Sequence, residues 1–172
     1  MTPVPMKVYI VGPAASGKDT AAQALVRHFP ELRLIRIAQP MYDIASNVFG
    51  RRRKDRRLLQ DIGDALRSVD PDVFIDLVLR STRDWSWVCP DIRLAREGER
   101  LRSNGWIGIR VERPLSARLL ALEERGESGA DLAHHTEAAV DLVPVDAVVA
   151  NRGTKAGFEA EVVRTVTRLI RR

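Results

Sequence analysis

The nine residues Gly12-Pro13-Ala14-Ala15-Ser16-Gly17-Lys18-Asp19-Thr20 constrain this chain more than any other stretch. They follow an apolar run, Val8-Tyr9-Ile10-Val11, and open a helical pattern from Ala21 to Phe29. Strand, glycine-bounded loop, Lys and helix in that order are the context that a phosphate-binding loop requires. Gly12 and Gly17 let the backbone curl, so that successive N–H groups across Ala14, Ala15 and Ser16 point inward at phosphate oxygens. A helix starting near Lys18 adds its positive N-terminal end. Lys18 itself supplies a mobile point charge for the outer phosphates. An ordinary strand-to-helix turn has no need of all these features together.

The common loop has Ser or Thr directly after the Lys to hold Mg²⁺. Here Asp19 occupies that position and Thr20 comes next. About 100° of helical rotation separates the two, so Thr20 is not a straightforward replacement. Phosphates and water then become the main ligands of the ion, which suits Mg²⁺. Asp19 must turn away from a polyphosphate or see its metal; its bland role is a helix-start acid favoured by the dipole.

A chain of 172 residues suggests one domain spanning 1–172. At this size about 70% of the unfolded surface is buried, so no disulfide staples are needed. The single cysteine, Cys89, lies in the run Trp87-Val88-Cys89 and reads as a buried structural thiol rather than a nucleophile. One cysteine fits a reducing cytoplasm. The first ten residues hold no long apolar signal core, and no stretch approaches a membrane span. Net charge is +5, and the basic residues are overwhelmingly Arg. The densest cluster is Arg51-Arg52-Arg53-Lys54 with Arg56-Arg57. No aromatic interleaves with it, so a stacking platform for single-stranded nucleic acid is unsupported. A phosphorylated small molecule is the better partner.

Along the chain, Met1–Met6 reads as a disordered lead. Strands are expected at Lys7–Val11, Leu32–Ile37, Trp85–Cys89, Trp106–Val111 and Val145–Ala150. Helices are expected at Lys18–Phe29, from Met41 to about Phe49, at Asp55–Val69, from an Asp70-Pro71 start to Thr82, at Ile92–Ser103, at Arg113–Arg125 and at Ala156–Arg172. Five strands alternating with helices make a doubly wound α/β domain, with ligands outside the carboxyl ends of the strands. That edge collects the glycine loop, Ala38, Asp91, Arg93, Arg113 and Asn151.

Asp91 ends an apolar strand and can hold a water of Mg²⁺, or cap the helix that follows. Arg93 faces the same edge and can hold a second anion. Arg113, Arg118 and Arg125 follow the fourth strand, where mobile arginines can neutralise charge in a phosphoryl transfer. The flexible tip Gly126-Glu127-Ser128-Gly129 beside them suggests a closing lid. Adjacent His134 and His135 diverge on a helix and make poor metal ligands. Arg57, Gln60 and Gly63 read as roughly one face of a helix, with Arg67 one turn beyond. Gly63 costs roughly 1 kcal/mol there, which signals close approach by a ligand or by packing.

These motifs, in this order, resemble the phage-type deoxynucleoside monophosphate kinases, in the wider P-loop kinase group that contains adenylate kinase. Ser16-Gly17-Lys18-Asp19-Thr20 is similar to that family's SGKDT, so the shifted Thr is expected. The run from Arg57 through Gln60 to Gly63 resembles R-x-L-L-Q-x-x-G. Asp91-Ile92-Arg93 with Glu97 resembles D-x-R…E, His134 to Glu137 resembles H-x-[ST]-E, and Asn151 to Thr154 resembles N-x-G-[ST]. The resemblance implies a three-layer α/β/α domain with a five-stranded parallel sheet, acceptor-binding helices in residues 38–82 and a mobile lid in 113–140. It implies transfer of the γ-phosphate of ATP, with Mg²⁺, to a deoxynucleoside monophosphate. Gly12 to Thr20 would cradle the ATP phosphates, and Asn151, Gly153 and Thr154 would border its adenine. Asp91, with Asp19 and Thr20 as further candidates, would serve the metal. Ala38, Arg57, Gly63, Arg67, Arg93, Glu97 and Glu137 would face the acceptor, with Gln60 at its base. Lys18, Asp91, Arg93, Arg113, Arg118 and Arg125 would act in catalysis, and no protein nucleophile is needed. Phosphomevalonate kinases have a similar loop and dephospho-CoA kinases a similar sheet order and Asn-Gly turn; either likeness would change the acceptor. A non-catalytic nucleotide-binding or nucleic-acid-associated protein is the remaining alternative. A homodimer is compatible with all of these.

Overall fold

Strand β1, Lys7–Val11, is the centre of the molecule. Val8, Tyr9, Ile10 and Val11 are all fully buried, as a strand covered on both faces requires. The structure, a computed structural model, describes residues 5–51, 53, 55–126 and 139–171. Around β1 lie β2 (Arg33–Leu34), β3 (Trp87–Cys89), β4 (Ile107–Glu112) and β5 (Ala147–Ala150), in the order β2-β3-β1-β4-β5. Every pairing is parallel. The helices are α1 (Lys18–His28), α2 (Gln39–Asn47), α3 (Arg56–Val69), α4 (Val73–Ser81), α5 (Ala95–Ser103), α6 (Leu115–Glu123) and α7 (Lys155–Ile170). Among the described residues, no helix is long and apolar enough to cross a membrane.

Side chains alternate across a strand, and β1 shows it. Val8 and Ile10 join Ala21 and Leu25 of α1 and Phe158, Val162 and Val166 of α7 in one core. Tyr9 and Val11 join Met41 of α2, Ile62 of α3, Phe74 and Val78 of α4 and Leu101 of α5 in the other. The result is the three-layer α/β/α arrangement expected from the alternating strands and helices.

Several boundaries differ from those expected, each for a local reason. The chain before β1 is already anchored at Met6, whose N–H donates to Ser86 Oγ at 3.0 Å and whose carbonyl accepts from Trp87 N at 2.8 Å. β2 spans two residues rather than six: Ile35 N–H still donates to Val88 O of β3 at 2.9 Å, but beyond it the backbone leaves the sheet, and the N–H groups of Ile37 and Ala38 turn toward Asp91. Trp85 lies outside β3, exposed, with the Arg33 guanidinium 3.8 Å from its ring centre. Asp70 does not cap α4. Its carboxylate accepts from Asp72 N at 2.9 Å in a turn, and Asp72 precedes the helix. Arg96 and Arg100 of α5 both pair with that Asp72, joining the two helices. Asp91 does not cap α5 either. The helix starts at Ala95, and Glu97 accepts from the backbone N–H groups of Arg93 and Leu94, both at 3.2 Å.

Candidate active site

The glycine loop leaves the carboxyl end of β1 and runs into α1. Gly12 has φ +155°, and a Cβ there would lie 2.5 Å from the Val111 carbonyl oxygen and 2.7 Å from Ser16 Oγ. Gly17 has φ +109°, and its Cβ would meet Asn151 Nδ2 at 2.6 Å. Between them Ala15 takes φ +58°, a left-handed conformation that costs a side-chain-bearing residue roughly 1–2 kcal/mol.

Side-chain donors from within the loop and from distant parts of the chain hold its carbonyls in turn. Lys18 Nζ donates to Gly12 O at 2.5 Å and to Pro13 O at 2.8 Å. Arg118 Nε, from α6, donates to Ala14 O at 2.9 Å. Arg113 Nη1, just beyond β4, donates to Ala15 O at 3.1 Å, and Asn151 Nδ2 to Ser16 O at 2.8 Å. Gly17 O accepts the N–H of Ala21 at 2.9 Å. Ser16 Oγ is buried without a hydrogen-bond partner. The glycine-held turn, opening onto a helix start with Lys18, fits a phosphate ligand.

Asp19 is exposed and turns to Arg36, whose Nη2 lies 2.7 Å from its carboxylate. Burial works against the Arg36 charge, but the bond and charge of Asp19 outweigh it and hold Arg36 more firmly protonated than usual. Among the described residues no three His, Cys, Asp or Glu side chains converge as a metal cluster. Mg²⁺ at this loop would therefore depend on phosphate oxygens and water, which suits that ion.

A cavity of about 260 Å³ opens beside the loop. Ala14, Ala15, Lys18 and Asp19 form its loop side. Ala38, Met41 and Tyr42 form a second wall, and Arg56, Leu59, Gln60, Asp64 and Arg67 of α3 a third. Asp91, Arg93 and Glu97 close it from the end of β3, with Leu122 and Arg125 from the α6 side. Six cationic side chains, counting Arg36, face four acids. A cationic, partly apolar cleft is suited to an anion with a planar or apolar body.

A scan against protein-family models gives no match, and a search of curated proteins gives none. Solved structures do match. A gluconokinase from Sinorhizobium meliloti superposes with a TM-score of 0.64 at 14% identity, covering 96% of this chain and 93% of that one. A shikimate kinase from Acinetobacter baumannii, in complex with shikimate, superposes with a TM-score of 0.63 at 14% identity, covering 96% and 94%. The APS kinase of Mycobacterium tuberculosis does so with 0.54 at 12% identity, covering 95% and 99%. This chain has the P-loop kinase fold.

Within that P-loop kinase fold, the residues singled out in the sequence divide into groups. Ala14, Ala15, Lys18, Asp19, Ala38, Gln60, Arg67, Asp91, Arg93, Glu97 and Arg125 line the cavity. Gly12, Ser16, Gly17 and Asn151 shape the loop from behind, while Arg113 and Arg118 hold its carbonyls. Thr20 is half-buried in α1 and does not line the cavity. Gly153 stands in open space, and Thr154 caps α7 by accepting from Gly157 N at 3.1 Å. Glu137 lies outside the described residues.

Two readings, of Arg57 and Gly63, need correction, and Asp91 has a structural role besides the one expected. Arg57 is exposed and does not line the cavity; Arg56 does. Asp55 is the N-cap of this helix, its carboxylate accepting from Leu58 N at 3.1 Å. Helical rotation of about 100° per residue then puts Arg56, Gln60 and Arg67 within about 40° of one another, and Arg57 elsewhere. Gly63 serves packing: a Cβ there would meet Met41 Sδ at 2.9 Å and Arg67 Nη1 at 3.1 Å. Asp91 is first a latch. Its Oδ1 accepts from Ile37 N and its Oδ2 from Ala38 N, both at 3.0 Å, so it ties the end of β3 to the wall that follows β2. Cys89 Sγ also donates to Oδ1 at 3.3 Å. Burial, and then the Asp91 charge, push the Cys89 thiol well above its usual range, so it is no nucleophile. The residues missed in the sequence are Arg36, Tyr42, Arg56 and Asp64. For Arg56 the signal was present: in Arg56-Arg57-Leu58-Leu59-Gln60 the spacing R-x-L-L-Q falls on Arg56.

Proposed function

We propose that this chain transfers the γ-phosphoryl group of ATP to a deoxynucleoside monophosphate, giving ADP and the deoxynucleoside diphosphate. The observation that carries the reading is the cavity itself, which runs from Lys18 of the loop to an arginine-rich wall and includes Tyr42 and Gln60. ATP with Mg²⁺ supplies the phosphoryl group. Gly12 to Thr20 form its cradle, with Lys18 beside the outer phosphates and Asp19 and Asp91 as the acids within reach of an ion. Arg56, Arg67 and Arg93 hold the phosphate of the acceptor. Tyr42 offers a ring face, and Gln60 an amide that can donate and accept, to a base. The acceptor phosphate is itself the nucleophile, so positioning and charge neutralisation do the chemical work. Arg125 adds charge from the lid side, while Arg113 and Arg118 keep the carbonyls of the loop turned outward. On this reading residues 38–82 are the acceptor region and 113–140 the lid.

The test is ADP release from ATP and Mg²⁺ over an acceptor panel. The panel holds the four common deoxynucleoside monophosphates, their ribose counterparts, phosphomevalonate, dephospho-CoA, shikimate and gluconate. Turnover highest with one or more deoxynucleotides is expected. Turnover only with a non-nucleotide would refute the acceptor and leave the donor site in place.

A further inference from the structure

Glu97 is buried, with 4% of its surface exposed, at the back of the cavity. Its Oε2 accepts from the backbone N–H groups of Arg93 and Leu94. Its Oε1 accepts from Arg67 Nη2 at 3.2 Å. One carboxylate therefore joins the two elements that carry Arg67 and Arg93, α3 and the turn before α5. Arg67 is fixed further by the Phe74 ring, 4.8 Å below its guanidinium, and by the missing Cβ of Gly63, which leaves room for Nη1. Its Nε is buried with no hydrogen-bond partner. A guanidinium gripped by an acid, a ring and a glycine has given up its rotamer freedom before any ligand arrives.

We propose that Glu97 is a positioning residue rather than a substrate contact: it assembles Arg67 and Arg93 into a rigid anion clamp for the phosphate of the acceptor. This rests on the kinase reading and refines its acceptor site. The opposing view is simple electrostatics, in which a carboxylate in an anion site weakens binding and its removal strengthens it. The two views predict opposite signs.

Glu97→Gln separates them. Gln keeps an oxygen for the Arg93 and Leu94 N–H groups, as capping positions allow. Its amide NH₂ then faces Arg67 Nη2, donor against donor. The protein is saturated with a non-hydrolysable ATP analogue and Mg²⁺ and titrated calorimetrically with each deoxynucleoside monophosphate and with inorganic phosphate. The analogue is titrated separately. A loss of acceptor affinity of about tenfold or more, with analogue affinity unchanged, is expected. Tighter or unchanged acceptor binding overturns the proposal, as does an equal loss for the analogue. If no deoxynucleotide binds the wild-type protein, the acceptor assignment fails; the clamp then stands only if inorganic phosphate binds and weakens in Glu97→Gln, and falls if it does not. Should Glu97→Gln fail to fold, Arg67→Lys, which keeps the charge and loses the planar fork, must weaken phosphate binding; equal binding overturns the clamp.

Discussion

Replacing Asp91 by Asn should destabilise the protein even in metal-free buffer. Both carboxylate oxygens of Asp91 accept backbone N–H groups, from Ile37 and Ala38, at 3.0 Å. Ile37 is buried, with 4% exposure, so its N–H has little recourse to water. Asn retains one acceptor and turns an NH₂ toward the other N–H. One charge-assisted bond is lost and one donor is left facing a donor, together about 2–4 kcal/mol. For a chain of this size that lowers Tm by about 5–12 °C. Urea unfolding in EDTA, followed by circular dichroism, measures it. A carboxylate whose only task is to hold a water of Mg²⁺ predicts no change under those conditions. A loss below about 0.5 kcal/mol would refute the latch.

Arg56→Ala should raise KM for the acceptor by about tenfold, while Arg57→Ala, which removes an exposed side chain, should leave it within about twofold; steady-state kinetics on both variants decides between the two registers of α3. Cys89 titrates with a definite sign. Its thiol stays neutral in the folded protein, because burial and Asp91 push it up, whereas in the unfolded chain it ionises near pH ~8.5. It has no pH effect below that value; above it stability should fall by about 1.4 kcal/mol per pH unit. Cys89→Ala should flatten that decline between about pH 8.5 and 9.5, as read from urea midpoints.

What the sequence made legible was local. β1 matches its expected limits because four consecutive apolar residues leave a central strand few alternatives. The loop was legible because both glycines, the Lys and the helix start lie within a few residues of one another. What was hidden depends on pairs far apart in the chain. Beyond Ile35 the chain leaves the sheet for Asp91, more than fifty residues away. Arg118 spends its Nε on Ala14, across 104 residues. Periodicity sees neither. Glu97 reads as an acceptor-facing acid, but the cap it provides and its partner Arg67, thirty residues earlier, hold it in the wall. The Arg57 error had another origin. Residues three apart drift by about 60° per step, so Arg57, Gln60 and Gly63 cannot share a narrow face.

On the proposed reading, the loop and the arginine wall together perform phosphoryl transfer to a deoxynucleoside monophosphate. Incubation with ATP labelled at the γ-phosphate, Mg²⁺ and each deoxynucleoside monophosphate tests it, with label followed into product for the wild-type protein and for Lys18→Ala. Label is expected in a deoxynucleoside diphosphate, at a rate reduced on the order of 10²-fold or more in Lys18→Ala. Label that never leaves ATP for a deoxynucleotide, or transfer that survives intact in Lys18→Ala, would contradict it.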